Sequence, residues 1–238
     1  MAGQVLNSLK DFWFALTETY TLMWLGITNS FYNLGILLVD FFYFWKNSLL
    51  RKINWELFWQ YAFLDPYAIS TREGSRVNLK KENLIYGETP YFSIYKILKY
   101  INPTKDDIFY DLGSGRGSVI FFINIYLKIR AIGIEIIPSF VKNSNHIKAK
   151  LNLQNIEFLH GNFLDYDIND GTIFYIAGTC FDDDIVEKIV QKVKEFKTGT
   201  WVISLSYPLN SPYLKVEKTF VLPYSWGKGT VYIHRKIS

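Results

Sequence analysis

The residues best suited to chemistry are two carboxylates that flank a glycine-rich turn. Asp111 ends a strand-like segment, residues 108–111, and the turn LGSGRG follows directly. Glu135 ends the next strand-like segment, AIGIE. Glycines at a strand-to-helix turn let the backbone approach a ligand closely, and the free N–H groups of the following helix point toward that ligand. The arrangement predicts a site for a ligand that carries a nucleoside or an anionic group.

The position of Asp111 distinguishes between cofactors. A carboxylate would repel a dinucleotide phosphate on the turn, and Gly113, Gly115 and Gly117 have the spacing GxGxG rather than GxGxxG. The carboxylate suits S-adenosylmethionine instead, which carries a sulfonium and an α-ammonium. Glu135, at the tip of the second strand, is placed to accept hydrogen bonds from two ribose hydroxyls. The ordered set resembles class I S-adenosylmethionine-dependent methyltransferases, and the alternative of a structural turn beside two solvated acids stays open.

Length and composition narrow the function classes. The 238 residues suffice for one α/β domain with an extra segment. A net charge of +4 is not a nucleic-acid signature, so no nucleic-acid partner is predicted. The single cysteine, Cys180, excludes a disulfide framework and a cysteine-based metal site, and the three histidines are scattered, so no metal site is predicted.

Strands and helices alternate after the turn, which indicates a mostly parallel, doubly wound α/β sheet. The predicted strands are residues 130–135, 155–160, 172–177 and 200–206. The predicted helices are residues 138–151, 182–196 and one that begins near residue 118. The last two strand-like segments, residues 214–222 and 229–237, are predicted to form an antiparallel hairpin at the sheet edge.

The first 52 residues differ from the rest and form an apolar helical segment. No charged residue lies between Glu18 and Asp40, which meets the length of about 20 residues needed to span a membrane, although Thr, Asn and Ser interrupt the run. A spanning helix, a hairpin or amphipathic helix in the interface, and a helical cap on the domain all remain open. We predict membrane contact through residues 12–45.

The basic residues that follow this segment indicate on which side of a membrane the rest of the chain would lie. Three basic residues follow it: Lys46, Arg51 and Lys52. If the segment spans a membrane, they place the C-terminal part on the cytoplasmic side. The absence of a small-residue cleavage site argues against a removed signal peptide. We therefore expect a cytoplasmic catalytic domain that is associated with a membrane.

The middle of the chain, residues 53–102, is predicted to be a helical lead-in. Residues 53–65 favour an amphipathic helix with an aromatic face, and residues 66–85 favour a polar loop. Thr89 is the expected N-cap of a further helix, with Pro90 in its first turn. Residues 103–238 then form the cofactor-binding domain.

Several motifs resemble one particular family, the non-SET, Rossmann-type protein-lysine methyltransferases of the disruptor-of-telomeric-silencing type. The resemblance covers about residues 86 to 235. It rests on YGET at 86–89, DDIFYDLGSGRGSVI at 106–120, GIE at 133–135, GNFL at 161–164 and SWGKGTVYIHR at 225–235. The family implies a Rossmann-like, seven-stranded methyltransferase sheet with a C-terminal β-hairpin, and S-adenosylmethionine as cofactor.

The resemblance also implies roles for residues at matching positions. Glu88 and Thr89, with Tyr86, would close over the methionine end of the cofactor. Asn162 and Phe163 would hold the adenine through an amide contact and by stacking. The implied cofactor-binding set is Glu88, Thr89, Asp111, Gly113, Ser114, Gly115, Glu135, Asn162 and Phe163, and the implied catalytic set is Tyr86, Thr179 and Trp226.

The chain departs from the family on the acceptor side. The family has two asparagines beside the reacting amine, where this chain has Ala177 and Gly178, and Thr179 is the expected partial substitute. Asn162 and Ser118 stand where the family has aspartate and glutamine. Aromatic side chains are expected to wall the acceptor channel: Tyr86, Tyr91, Phe181, Tyr207, Trp226 and Tyr232.

The sequence thus predicts an S-adenosylmethionine-dependent methyltransferase whose acceptor is a lysine side chain of a protein. The changed loop at 177–179 keeps open a lipid or small-molecule acceptor. A cofactor-binding scaffold without catalysis is the second alternative. A dehydrogenase is disfavoured by Asp111 and by the glycine spacing.

Overall fold

The computed structural model describes residues 2–63, 65–75, 87–178 and 181–237, with the backbone alone at residues 2–16 and 22. The predicted catalytic residues Tyr86 and Thr179 lie outside the described residues.

Seven strands form a single mixed sheet with the order β3-β2-β1-β4-β5-β7-β6. The strands are β1 Ile108–Leu112, β2 Arg130–Glu135, β3 Ile156–His160, β4 Ile173–Ile176, β5 Trp201–Leu205, β6 Leu214–Tyr224 and β7 Gly227–Lys236. The first five are parallel, and β7 pairs antiparallel with both β5 and β6. The predicted Rossmann-like methyltransferase sheet with a terminal hairpin is therefore confirmed.

The helices lie before the sheet and between its strands. They are α1 Ala2–Phe44, α2 Ser48–Tyr61, α3 Pro66–Gly74, α4 Tyr91–Ile101, α5 Ser118–Phe122, α6 Pro138–Lys150 and α7 Asp183–Val193. A π-helical turn, Ile123–Leu127, continues α5. The helix α2 crosses the expected boundary between residues 52 and 53, so the lead-in begins inside a continuous helix.

Both faces of the sheet are buried, because successive side chains of a strand point to opposite sides. Phe109 packs with residues of α2, α4, α5 and α6, whereas its neighbour Tyr110 packs with Ile189 and Val193 of α7. This explains the nearly unbroken apolar runs of the central strands, and it fixes the carboxyl ends of β1, β2 and β4 along one edge.

The segment 66–85, expected to be a polar loop, is helical over its first half. In α3 the side chain of Asp65 accepts a hydrogen bond from the N–H of Tyr67, and Pro66 occupies the first turn. An N-cap acid followed by proline is a helix start signal, so the prediction of a loop was wrong for residues 66–74. Residues 76–85 lie outside the described part of the chain.

The expected N-cap of α4, Thr89, is also wrong. The helix begins at Tyr91, and its free N–H groups are capped by a residue from a different helix, Asp40 of α1. The two carboxylate oxygens of Asp40 accept hydrogen bonds from the N–H groups of Tyr91 and Phe92, both at 2.8 Å. A carboxylate at a helix N-terminus is favoured by the helix dipole, so this contact ties α1 to the first turn of α4.

The N-terminal helix α1 is continuous, which excludes the hairpin interpretation. Among the described residues, its segment Thr17–Phe44 is the one stretch long and apolar enough to cross a membrane, with 28 residues and a mean hydropathy of 1.4. None of its most apolar window is buried against the rest of the protein. The interpretation as a cap therefore holds only for its C-terminal end, where Tyr43 packs edge-on against Phe92.

Candidate active site

A cavity of about 470 Å³ opens at the carboxyl ends of β1, β2 and β4, where ligands bind in open α/β sheets. The described residues that were expected to bind cofactor all line it: Glu88, Thr89, Asp111, Gly113, Ser114, Gly115, Glu135, Asn162 and Phe163. Trp226, expected on the acceptor side, lines it as well. The sheet thus gathers residues from distant parts of the sequence around one space.

Asp111 carries an unsatisfied polar atom at this cavity. Its side chain is buried, and its oxygen Oδ1 has no hydrogen-bond partner. Burial raises the pKa of the Asp111 carboxyl well above its usual range, and the nearby carboxylate of Glu135 adds to the rise. A buried acceptor without a donor is costly, so the position favours a ligand that brings a cationic donor.

Glu135 is bound by the backbone around it. One oxygen accepts from the N–H of Gly115 at 2.7 Å, and the other accepts from the N–H of Ile137 at 2.8 Å. Burial raises the pKa of Glu135, and these hydrogen bonds oppose that rise. The carboxylate therefore shapes the glycine turn in addition to facing the cavity.

The glycine turn requires its glycines. Gly113, Gly115 and Gly117 have φ angles of +93°, +52° and +76°, in the left-handed region that glycine adopts at no steric cost. At Gly117 an added Cβ would lie 2.4 Å from the ring of Phe158. The hydroxyl Oγ of Ser114, within the turn, is buried without a partner, and it lies 2.6 Å from where a Cβ at Gly133 of β2 would be.

The loop at residues 87–90 is held down by the tip of the β6–β7 hairpin. The Oγ of Ser225 accepts from the N–H of Glu88 at 2.8 Å, and the N–H of Ser225 donates to the carbonyl of Glu88 at 3.2 Å. Glu88 forms an ion pair with Arg116 of the glycine turn. Trp226 covers Gly87 so closely that a Cβ there would meet its ring at 2.4 Å.

Sequence reasoning missed Tyr175. Its hydroxyl lies 2.7 Å from Oγ1 of Thr89, and the residue lines the cavity from β4. Burial raises the pKa of Tyr175 well above its usual range, so the hydroxyl is neutral. Nothing in the local sequence distinguishes this tyrosine from the buried aromatic residues around it. Arg116 was also missed, although its position within the glycine motif was a usable signal.

The adenine end of the predicted site has a partly different arrangement. The side-chain oxygen of Asn162 accepts from the N–H of Leu164 at 3.0 Å and caps the short 3-10 turn Phe163–Asp165. The rings of Phe163 and Phe181 lie with their centroids 5.9 Å apart. Together they make an aromatic wall opposite the glycine turn.

The acceptor side contains backbone and aromatic groups where the family has amides. Tyr207 donates a hydrogen bond from its hydroxyl to the carbonyl of Gly178 at 2.6 Å. A Cβ at Gly178 would lie 2.1 Å from the ring of Phe181, so the packing of that ring excludes an asparagine here. Ala177 and Phe181 both line the cavity.

Not all the expected channel walls lie at the cavity. Tyr91 is buried in the core, where it stacks on Phe122 and donates from its hydroxyl to Asn54 at 2.6 Å. That expectation was wrong, because the capping by Asp40 turns the start of α4 inward. Tyr207 and Tyr232 are likewise absent from the lining that the described residues form.

The site fits S-adenosylmethionine. Its two unsatisfied acceptors, Asp111 Oδ1 and Ser114 Oγ, suit a ligand that carries donors, and an α-ammonium beside the buried carboxylate would restore its charge. The two aromatic rings of Phe163 and Phe181 suit a flat heterocycle.

Comparison with known proteins agrees with this geometry. Residues 80–219 match the model of the family described as "Histone methylation protein DOT1", which is more than half of the chain. The chain belongs to this family. The matched range begins before the YGET motif and ends in β6, so it contains every cavity-lining motif except the hairpin tip.

Individual relatives of this DOT1-family chain share 28–36% sequence identity with it over part of its length. A protein-lysine N-methyltransferase of Saccharolobus islandicus is 28% identical over 134 residues, which are 52% of this chain and 77% of that protein. The histone-lysine N-methyltransferase, H3 lysine-79 specific, of Drosophila melanogaster is 36% identical over 89 residues, 37% of this chain. A putative RNA methyltransferase of Acanthamoeba polyphaga mimivirus is 33% identical over 99 residues, 40% of this chain. The chain matches only 4% of the fly protein and 24% of the viral one.

Solved structures support the fold. An RNA methyltransferase of Salinibacter ruber, in complex with S-adenosyl-L-homocysteine, superposes with a TM-score of 0.55 at 24% identity. The match covers 63% of this chain and 94% of that structure. A geranyl diphosphate methyltransferase superposes with a TM-score of 0.53 at 11% identity, covering 62% of this chain and 79% of that structure. The same sheet is thus found in proteins named for different acceptors.

Proposed function

We propose that this DOT1-family chain, an S-adenosylmethionine-dependent methyltransferase by its family and fold, transfers a methyl group to a lysine side chain of a protein. The observation that supports the cofactor part of the proposal is the buried side chain of Asp111 beside the glycine turn, whose oxygen Oδ1 has no hydrogen-bond partner. The observation that favours a protein acceptor is the relation to lysine methyltransferases, among them the Saccharolobus protein that the chain matches over most of its length.

The proposed donor site uses the residues that line the cavity. Asp111 binds the α-ammonium, and the glycine turn lets the backbone approach the methionine part. Glu135 accepts from the ribose with the lone pairs that its two backbone hydrogen bonds leave available. Asn162 and Phe163 hold the adenine, while Glu88 and Thr89 close the methionine end.

S-adenosylmethionine supplies an activated methyl group on a sulfonium, so the protein has to align the acceptor and exclude water. Alignment of this kind contributes on the order of 7–11 kcal/mol. A lysine amine must be neutral to attack, and desolvation between Phe181 and Trp226 lowers its pKa in the required direction. Tyr86 and Thr179 remain part of the proposed catalytic set, although they lie outside the described residues.

Transfer from tritium-labelled S-adenosylmethionine to cell extract tests this proposal. We expect the label in the protein fraction, and mass spectrometry of digested protein should place it on lysine. The Asp111→Asn variant is the control, and at a donor concentration below its dissociation constant it should transfer about 100-fold less label. Label confined to lipid or to small molecules would replace the proposed acceptor, label in RNA would do the same, and donor binding without any transfer would indicate a scaffold.

The lipid alternative has one observation in its favour. The expected asparagine pair is absent at Ala177 and Gly178, and the ring of Phe181 occupies the adjacent space. An acceptor that needs no amide contacts would tolerate this wall. Separation of the tritium-labelled extract into protein and lipid fractions distinguishes the two acceptor classes.

We also propose that residues 12–45 contact a membrane and hold the catalytic domain on its cytoplasmic side. The exposed, apolar segment Thr17–Phe44 and the basic residues after it support this arrangement. The division into residues 1–52, 53–102 and 103–238 belongs to the same proposal. Full-length protein should float with liposomes in a density gradient. Protein that stays soluble without detergent and does not float would contradict it.

A further inference from the structure

The second helix, α2, has its polar and apolar residues in an unusual arrangement. Three polar side chains are bonded to the domain body: the oxygen of Asn54 accepts from the Tyr91 hydroxyl, Glu56 pairs with Lys150 at 2.8 Å, and Gln60 donates to the carbonyl of Asn143 at 3.2 Å. Leu50, Ile53, Leu57 and Tyr61 pack into the core. These three polar residues and the aliphatic residues of the helix therefore contact the same domain.

The opposite side of α2 exposes large aromatic residues. Trp55, Phe58 and Trp59 follow helical spacing and contact one another, with ring centroids 5.4 to 6.1 Å apart. Phe41, near the end of α1, and Trp45, just after it, line a groove together with Phe58. These five residues, here called the aromatic face, are each between 48% and 59% exposed.

A continuous aromatic surface of this kind is informative, because soluble domains rarely expose large apolar patches. Tryptophan side chains are enriched at the headgroup layer of a bilayer, and helices that lie in that layer bury tryptophan and phenylalanine on their apolar face. The aromatic face lies at the C-terminal end of Thr17–Phe44, the segment with the length and composition to cross a bilayer.

The charged residues near the aromatic face also favour contact with a lipid surface. Lys46, Arg51 and Lys52 are exposed beside the aromatic face, and the guanidinium of Arg51 donates to the carbonyl of Trp45. The nearest acid on α2, Glu56, is already paired with Lys150. Aromatic residues with neighbouring cations match an anionic lipid surface.

We propose that the aromatic face docks into the interfacial layer of an anionic lipid bilayer, so that α2 lies along the membrane surface. The five aromatic side chains enter the headgroup and acyl boundary, and the three cations contact anionic headgroups. This goes beyond contact through α1, because it fixes the orientation of the catalytic domain on the membrane.

This orientation has a consequence for the site, which rests on the proposed function. A groove of about 980 Å³ is lined by residues of α1 and α2, among them the exposed Phe41, Trp45 and Phe58. It reaches Glu88 and Arg116, which also line the cofactor cavity. A docked aromatic face would thus open this groove toward the bilayer and favour acceptors that are themselves membrane-bound.

Spin labelling of the full chain tests the docking. The single cysteine, Cys180, is replaced by serine, and a nitroxide is attached through Trp59→Cys. The matched control is Val221→Cys on β6, which is 65% exposed and remote from α2. Both proteins are reconstituted in vesicles of phosphatidylcholine and phosphatidylserine, and collisions with oxygen and with a water-soluble nickel chelate are measured.

The label at position 59 should lie about 5–10 Å below the phosphates, with oxygen collisions several-fold more frequent than nickel collisions. The label at position 221 should show the reverse. Equal nickel access at both positions would overturn the docking, even with α1 inserted. Strong dipolar broadening that disappears on dilution with unlabelled protein would assign the face to a second copy of this chain.

The labelling experiment has a second labelling position and does not depend on enzymatic activity. If Trp59→Cys fails to fold, Phe58→Cys supplies an independent position on the same face. The measurement needs neither methyl donor nor acceptor, so loss of the proposed methyltransferase activity would not change its outcome.

Discussion

The proposed donor end and the proposed acceptor end of the cavity differ in the kind of residue that lines them. At the donor end, two buried carboxylates, Asp111 and Glu135, surround a turn of glycines in the left-handed conformation. At the acceptor end, Gly178, Phe181 and Trp226 supply backbone and rings without a charged group among them. Desolvation of the two carboxylates is therefore unfavourable in the free protein, whereas Gly178, Phe181 and Trp226 place no charge in a buried position.

This difference shows what each end is able to select. Buried charge discriminates strongly, because a ligand without the complementary charge leaves the carboxylate unpaired. Aromatic walls select mainly by shape and by the removal of water. The donor is therefore determined by a few residues, while the acceptor end of the same sheet can serve different substrates.

The largest effect is expected from Asp111→Asn. Removal of the charge should weaken S-adenosylmethionine binding by about 100-fold, or about 2.7 kcal/mol, as for a hydrogen bond to a charged group. The donor-free protein should become more stable, because the buried unpaired charge is gone. Calorimetric titration and thermal unfolding measure the two effects, and the exposed Asp106→Asn is the matched control. A variant that unfolds would mean that Asp111 is mainly structural.

Wild type and Asp111→Asn should also differ in how their stability depends on pH. Because the pKa of Asp111 is raised in the folded protein, the unfolded chain loses its proton first as the pH rises above 3.8. The stability of donor-free wild type should therefore fall relative to Asp111→Asn as the pH rises from 3.8 toward the raised pKa. Donor affinity should rise over that window, and a flat profile would contradict the assignment.

Glu135→Gln should affect binding and folding together. An amide group cannot accept from both Gly115 and Ile137, so one backbone N–H loses its partner, at a cost of about 1–3 kcal/mol in stability. Donor affinity should fall by about tenfold. Unchanged affinity in a well-folded variant would remove Glu135 from the donor site.

Trp226→Ala tests the acceptor end. We expect kcat/KM for the acceptor to fall by about tenfold, while donor affinity changes by less than about threefold. Trp226→Phe should restore most of the activity, because a ring remains over Gly87. Equal losses in donor and acceptor binding would erase the distinction between the two ends.

The smallest effect is expected from Tyr175→Phe. Loss of the hydroxyl removes its hydrogen bond with Thr89 and should weaken donor binding by about 3- to 10-fold. Tyr110→Phe is the control, because its hydroxyl bonds Asp170 at the other end of the sheet. If both variants bind the donor equally well, Tyr175 has no part in positioning the loop.

The sequence predicted the sheet well, and the residues expected to bind the donor line one cavity, because both features depend on local patterns. Apolar runs gave the buried parallel strands, and the acidic residues at the strand ends identified the edge where the cavity lies. The motif from Asp111 to Gly117 needed no long-range information.

Long-range contacts explain what the sequence did not predict. Asp40 caps α4 across a gap of some 50 positions, so Thr89 was free to bond Tyr175 instead. The ring of Phe181 over Gly178 explains the missing amide only after the loop is seen in three dimensions. The sequence predicted the aromatic face of α2 but not its exposure, because that exposure depends on where the polar residues of the helix find partners.

Calorimetric titration of the purified full-length protein with S-adenosylmethionine tests the central claim most directly, with NADH as the control ligand. Micromolar binding of S-adenosylmethionine, no heat with NADH, and loss of the signal in Asp111→Asn are the predicted results. Well-folded protein that gives neither heat nor a thermal shift with S-adenosylmethionine would contradict the assignment of the cavity.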